Sequence, residues 1–301
     1  MSDPAEPVTS EARFPDGAAF RIEIPSTETP DALAAILAEA ERLDVPVHRV
    51  SQGSGVSMLT DDELDRFAGL AADAGVEVSL FARPGAGWGT SAAARAPAGG
   101  AFAAAAWGPE QLRATLQDAV RAAEHGIRSV LIADLGALAS FDRMRRAGDL
   151  PPEMQVKASV MLPTTNPATA RVLEDLGADT INVAGDLSVA HVAAIRAAVS
   201  VPLDLYVESP DDLGGFVRLH EIGELIRVAS PIYLKFGLRN APPLYPYGAH
   251  LEATALAMSR ERVRRARLAV ELLAREGAAF ATSARGAAGL AVPLRGARPT
   301  A

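Results

Sequence analysis

The 301-residue chain contains no cysteine. That excludes disulfides, a thiolate nucleophile and any cysteine-ligated iron–sulfur cluster. Lysine is nearly absent as well. Of the 29 basic residues, all but Lys157 and Lys235 are arginine. Net positive charge is missing too: the balance is −8, which argues against a nucleic-acid partner, since phosphate backbones require a basic face. No apolar run reaches the length of a membrane span. Residues 1–16 are acidic and proline-bearing, without the basic and apolar regions of a signal peptide, so a cytoplasmic location is expected. The five histidines are scattered without metal-ligand spacing. Neither a divalent metal nor another cofactor is expected.

What is present is an ordinary globular composition, 49% hydrophobic and 22% charged. It is arranged as alternating strand-like and helix-like segments. The pairs are 21–25 with 31–43, 47–51 with 61–74, 76–83 with 110–125, and 130–134 with 138–147. They continue with 156–162 and 167–176, 180–184 and 189–199, 203–208 and 212–226, and 232–238 and 260–275. Thr60-Asp61-Asp62-Glu63 has the pattern of a capping box, and Gly126 and Gly177 are helix stops. Eight β/α units with short connections predict a single (β/α)8 TIM-type barrel over 19–276, flanked by a tail at 1–18 and a disordered, low-complexity tail at 277–301.

The strands alternate instead of being apolar throughout. Ile22 and Ile24 oppose Arg21 and Glu23; Leu203, Leu205 and Val207 oppose Asp204, Tyr206 and Glu208; Ile232, Leu234 and Phe236 oppose Tyr233 and Lys235. Apolar faces must meet the helices, so the polar set lines the interior. A barrel that is polar inside is built around a site.

Both lysines fall on that inner set. Elsewhere the chain uses arginine for positive charge, so two strand lysines suggest work that arginine does poorly: losing a proton, donating to a reacting oxygen, or forming an imine. The alternative is a pair of salt-bridged structural lysines. Lys157, Lys235 and Glu208 are the candidate catalytic residues, Glu208 because it ends the seventh strand; it could equally cap the next helix. Candidate substrate-binding residues are Glu23, Arg49, Ser51, Arg83, Asn182, Tyr206, Arg239 and His250. Arg49, Arg83 and Arg239 suit a carboxylate or phosphate. His250 lies in an aromatic, proline-stiffened loop after the last strand, which reads as a substrate wall. Asp134 and Arg83 end strands on the same side, whereas Arg21, Glu77 and Asp204 begin strands, where a structural ion-pair network is expected. The turn Gln52-Gly53-Ser54-Gly55 offers backbone N–H groups to an anion, or is simply a turn. The Gly/Ala-rich stretch 84–108 leaves the carboxyl end of a strand, as a lid would, or is an insertion without a role.

The runs Gly177-Ala178-Asp179-Thr180-Ile181-Asn182-Val183, Leu187-Ser188 and Val201-Pro202-Leu203-Asp204-Leu205-Tyr206-Val207-Glu208 resemble the U32 peptidase (collagenase-like) family, as does His48-Arg49-Val50-Ser51-Gln52-Gly53. Lys235-Phe236-Gly237-Leu238-Arg239-Asn240-Ala241-Pro242 is similar to cysteine-free actinobacterial proteins grouped under the same heading. The resemblance implies a barrel and an enzyme. Family members typically follow the acidic and aromatic positions with His-Gly and a cysteine-containing stretch; here Asp204 and Tyr206 are followed by Glu208 and Ser209 and no cysteine. The hydroxylating relatives depend on iron–sulfur clusters, so their activity is excluded.

The expected function is that of a U32-like enzyme acting on a small polar, anionic or carbonyl-bearing molecule through acid/base or electrophilic lysine chemistry. A class I (Schiff-base lysine) aldolase or lyase, a true peptidase or isopeptidase, and a non-catalytic small-ligand barrel remain alternatives. Alanine-rich helix faces leave room for a homo-oligomer without demanding one.

Overall fold

The computed structural model describes residues 7–84, 104–277 and 279–296. Eight parallel strands close into a barrel in sequential order: β1 (Phe20–Pro25), β2 (Val47–Ser51), β3 (Glu77–Phe81), β4 (Ser129–Ile132), β5 (Gln155–Ala158), β6 (Thr180–Asn182), β7 (Leu203–Glu208) and β8 (Ile232–Phe236). The helices that follow them are α1 (Pro30–Arg42), α2 (Asp61–Ala74), α3 (Gly108–Glu124), α4 (Leu135–Ala147), α5 (Pro167–Asp175), α6 (Val189–Ala198), α7 (Ile222–Ala229) and α8 (Glu252–Arg275). This is a (β/α)8 barrel. Most of the lid candidate at 84–108 lies outside the described residues. No helix among them is long and apolar enough to cross a membrane.

Local chemistry sets the boundaries. Thr60 and Glu63 form the expected capping box at the start of α2, and Gly75 ends that helix with φ +62°. Thr29, Asn166 and Ser188 cap α1, α5 and α6 with their side-chain oxygens. Asp134, expected to face the site, instead caps α4 by accepting from the Ala137 amide at 2.8 Å. The helix expected over 212–226 is interrupted by Gly214 and Gly215, both at positive φ, and α7 begins only at Ile222. The last helix begins earlier than expected, at Glu252.

The alternation sorts as anticipated. Ile22, Ile24, Leu203, Leu205, Val207, Ile232, Leu234 and Phe236 belong to the apolar core shared with the helices. Their polar neighbours are buried inside the barrel, except Glu208 at the end of β7, which is buried off the inner face. Register then places Glu23 beside Arg49 on β2 and Lys235 on β8, and Tyr206 beside Lys235.

Both expected tails are partly structured. At the amino end Ser10 bonds to the backbone of Arg227 and Ser230, and Phe14 is buried with its ring 4.0 Å from the Arg21 guanidinium. Residues 279–296, expected to be disordered, cross the bottom of the barrel. Thr282 bridges to Phe20, Ser283 accepts from Arg21 Nε at 2.8 Å, and the Ala288 carbonyl accepts from Arg21 Nη2 at 2.7 Å. The physical reason is that a buried arginine needs acceptors, and here one side-chain hydroxyl and one main-chain carbonyl supply them.

Candidate active site

At the carboxyl ends of the strands, where barrel sites lie, a cavity of about 430 Å³ opens. Lys235, Asn182 and Tyr206 form its inner end, Ser51 and Ser159 its walls, and Arg83, Asp212 and Tyr245 its outer part. Tyr245 lies over Gly53, where a Cβ would come within 2.5 Å of the ring; the absence of a side chain there is what admits the tyrosine. The hydroxyls of Tyr245 and Ser26 share a hydrogen bond of 2.5 Å.

Lys235 Nζ donates to Asn182 Oδ1 at 2.5 Å, lies 4.3 Å from the Tyr206 ring centroid and 3.5 Å from Glu23 Oε1. Behind the cavity wall the same Glu23 oxygen accepts from Lys157 Nζ at 2.6 Å and from Ser51 Oγ at 2.7 Å. Arg49 Nε donates to Glu23 Oε2 at 2.7 Å, and Arg49 Nη2 also bonds to Asp204. Thr180 donates to Asp204 at 3.0 Å, and Glu77 stands 3.6 Å from Arg49. Arg49 stacks 3.5 Å from the Tyr233 centroid.

Two carboxylates, Glu23 and Asp204, thus face three cations, with Glu77 on the far side of Arg49. Burial alone would raise the Glu23 pKa, but Arg49, Lys157 and Lys235 hold it well below the ordinary carboxylate value. Burial, then the charge of Arg49, push Lys157 down to about 7 against the pull of Asp204 and Glu23. Burial also raises the Tyr206 hydroxyl far above its usual value, keeping it protonated.

The structure divides the expected site residues into three groups. Lys235, Ser51, Arg83, Asn182 and Tyr206 line the cavity. Lys157, Glu23 and Arg49 form the buried network behind it, which removes Arg49 from direct contact with a substrate. Glu208, Arg239 and His250 lie outside the cavity lining. A register shift between Tyr206 and Glu208 takes the glutamate off the inner face. Its carboxylate accepts from the Arg239 amide at 2.9 Å and pairs with Arg265 at 3.1 Å. The Arg239 side chain is 61% exposed and faces Asp211 at 3.4 Å. His250 is exposed in a short 3-10 turn (Ala249–Leu251), while Tyr245 of the same loop does wall the cavity.

The turn at Gly53 is not an open anion cradle, because the Gly53 and Ser54 amides donate to the buried Glu28 carboxylate at 2.9 and 3.0 Å. Sequence reasoning missed Glu28 and, on α8, Arg262. Neither carries a local signal. Among the described residues no group of three or more His, Asp or Glu side chains is placed to hold a metal ion.

Part of the site lies on a stretch that is similar to a known family. Residues 104–209 match the model of peptidase family U32. The resemblance read from the sequence holds over that stretch, which carries Lys157, Asn182 and Tyr206. No curated protein matches the chain. Among solved structures, the U32 peptidase Mk0906 is 18% identical, with 80% of this chain and 100% of that one covered, at a TM-score of 0.44. A 2,3-dimethylmalate lyase of the PEP mutase/isocitrate lyase superfamily is 14% identical, covering 87% and 85%, at 0.44. The carboxyl transferase domain of Rhizobium etli pyruvate carboxylase is 18% identical, covering 89% and 50%, at 0.43.

Proposed function

We propose that this U32-like barrel is an enzyme that forms an imine between Lys235 and a small anionic carbonyl compound, in the manner of a class I aldolase or lyase. One observation carries the reading: Lys235, 3% exposed, presents its amine at the inner end of an open cavity, and a carboxylate 3.5 Å away also holds the second lysine.

The chemistry follows from those groups. The neutral amine adds to the carbonyl carbon; the carbonyl oxygen then departs as water, leaving a cationic C=N that draws electrons from an adjacent C–C or C–H bond. Glu23, kept ionised by its three cations, relays the proton leaving or returning to Lys235 Nζ without storing it. Lys157, held near neutrality on the same carboxylate, holds or releases that proton in turn. Arg49 and Ser51 fix the Glu23 carboxylate in position. Asn182 orients the amine, and Arg83 in the cavity wall favours an anionic substituent.

The family match favours a second reading, hydrolysis of a peptide or isopeptide bond. Against it, Ser51, the serine closest to the network, donates its proton to Glu23 and not to a lysine base.

Borohydride reduction separates the two. Incubation with a panel of 2-oxo acids and phosphorylated ketones and aldehydes, then borohydride, leaves a mass increment on the peptide containing Lys235, absent in Lys235→Arg. No adduct with any member, or one confined to Lys157 or the amino terminus, overturns the reading; turnover of a peptide panel in its place establishes the alternative.

A further inference from the structure

Beside the first cavity lies a second of about 440 Å³, and the two share Ser26, Arg83, Pro210, Asp212 and Tyr245. Its wall includes Arg262 of α8, which is 3% exposed. Among the described residues, the other buried arginines all have closer hydrogen-bond partners. Arg21 has Ser283, Tyr233 and Ala288; Arg49 has Glu23 and Asp204; Arg128 has Glu153 and two carbonyls. Arg196 is bound by two carbonyls, and Arg218 by Gly185 and Glu221.

Arg262 differs. Among the described residues its one hydrogen bond, from Nη1 to the Ser26 carbonyl, is 3.4 Å long, and Nε has no partner. Among the described residues no carboxylate lies within ion-pair distance of it. Of the nearby acids, Glu28 is occupied by the Gly53 and Ser54 amides, Glu208 by the Arg239 amide and Arg265, and Asp211 by Arg239 and the Asn240 amide, while Asp212, on the wall shared with the first cavity, acts on Arg83. Burial depresses the Arg262 pKa, as it does those of Arg196 and Arg83, whereas the carboxylates around Arg49 raise its pKa.

A guanidinium with five N–H donors, withdrawn from water and left without a counter-ion, costs stability. Unrepaid costs of this kind are characteristic of binding sites. We propose that the second cavity is an oxyanion subsite in which Arg262 binds a carboxylate or phosphate group of the ligand. That this group and the carbonyl attacked by Lys235 belong to one molecule rests on the imine reading; the subsite itself does not. The shared waist at Arg83 and Tyr245 is what lets an elongated molecule occupy both cavities.

The test uses inorganic phosphate and acetate as probes, against chloride at equal ionic strength, read by calorimetry and thermal unfolding. The wild type binds at least one of the two and melts higher with it. Arg262→Met binds neither and, without anion, melts no lower than the wild type, because a buried unpaired charge has been removed. Arg262→Lys keeps the charge but loses the two-pronged donor, and binds about tenfold more weakly. Lys235→Met retains anion binding, so failure of the imine reading leaves the subsite standing. The proposal is overturned if the wild type binds neither probe beyond chloride, if Arg262→Met still binds, or if that variant is less stable or does not fold.

Discussion

Lys157 and Lys235, the two lysines of the chain, approach the same oxygen of Glu23, at 2.6 and 3.5 Å. The shorter contact belongs to the lysine that the cavity does not reach, and the longer one to the lysine that lines it. One carboxylate therefore does two jobs, satisfying a buried ammonium and standing within reach of an accessible one. The difference in distance divides the pair into a support and a reactive candidate, a division that sequence position alone did not suggest.

Glu23→Gln leaves Arg49 and Lys157 short of a counter-charge in the barrel interior. Removing one partner of a buried ionic network typically costs about 3–5 kcal/mol, and a loss of that order is expected in urea unfolding at pH 7. Glu23 titrates lower in the folded chain than in the unfolded one. Its contribution is therefore complete above the ordinary carboxylate value and disappears as pH falls through the folded value. The gap between wild type and variant should narrow in acid; a gap that is constant from pH 7 to 3 contradicts this account.

Lys157 offers a direct titration. With two lysines, 13C labelling at the lysine ε-carbon yields two resonances, and the one lost in Lys157→Met should titrate near pH 7. Between about 7 and the ordinary lysine value of 10.5 the unfolded chain binds this proton and the folded chain does not. Stability should therefore rise with pH in that window, by about 1.4 kcal/mol per unit at most. The rise should vanish in Lys157→Met. A Lys157 resonance that does not move until pH 10 rejects the proposed proton reservoir.

Most of the barrel was legible because strand periodicity is a local property: an arginine next to an isoleucine on a strand must face the other way. The inner set from Arg21 through Lys235 follows from that rule. Glu208 escaped it because one irregularity in register between Tyr206 and Glu208 reverses the facing of whatever comes after. Arg262 was invisible for another reason. On a helix, an arginine's burial depends on which loop lies against it, here the segments carrying Ser26 and Tyr245. The carboxyl-terminal stretch looked disordered because its side chains are mostly small, while many of its contacts are made by backbone groups that every sequence possesses, among them the Ser283 and Ala288 carbonyls.

His48 is a further site of acid sensitivity. Its Nδ1 accepts from the Ile22 amide at 2.9 Å, which leaves Nε2–H to donate to the Ser283 carbonyl at 2.7 Å. The bond accepted at Nδ1 requires the neutral ring, and burial lowers its pKa from 6.5 to about 4 against the opposing pull of the Ser283 carbonyl. The stabilisation is complete above pH 6.5 and is lost as pH falls toward 4, because the unfolded chain takes up the proton first. The total is about 3 kcal/mol from a shift of this size. His48→Gln should flatten the stability profile between pH 6.5 and 4; an unchanged slope excludes His48 as its source.

Ending the chain after Gly277 tests whether segment 279–296 is part of the fold. The truncation removes two acceptors from fully buried Arg21, the Ser283 carbonyl from His48, and the Ala291 amide from Glu77. Each buried group left unsatisfied costs about 1–3 kcal/mol, so a total loss above about 3 kcal/mol is expected. Water admitted to the barrel bottom should also move the His48 pKa back toward 6.5, shrinking its acid-dependent contribution. The Lys235 cavity lies at the opposite end of the strands, so borohydride trapping by the truncated protein should persist wherever it remains folded. A truncated chain that melts with the wild type would show that Arg21 finds its acceptors elsewhere, and that the segment rests on the barrel without supporting it.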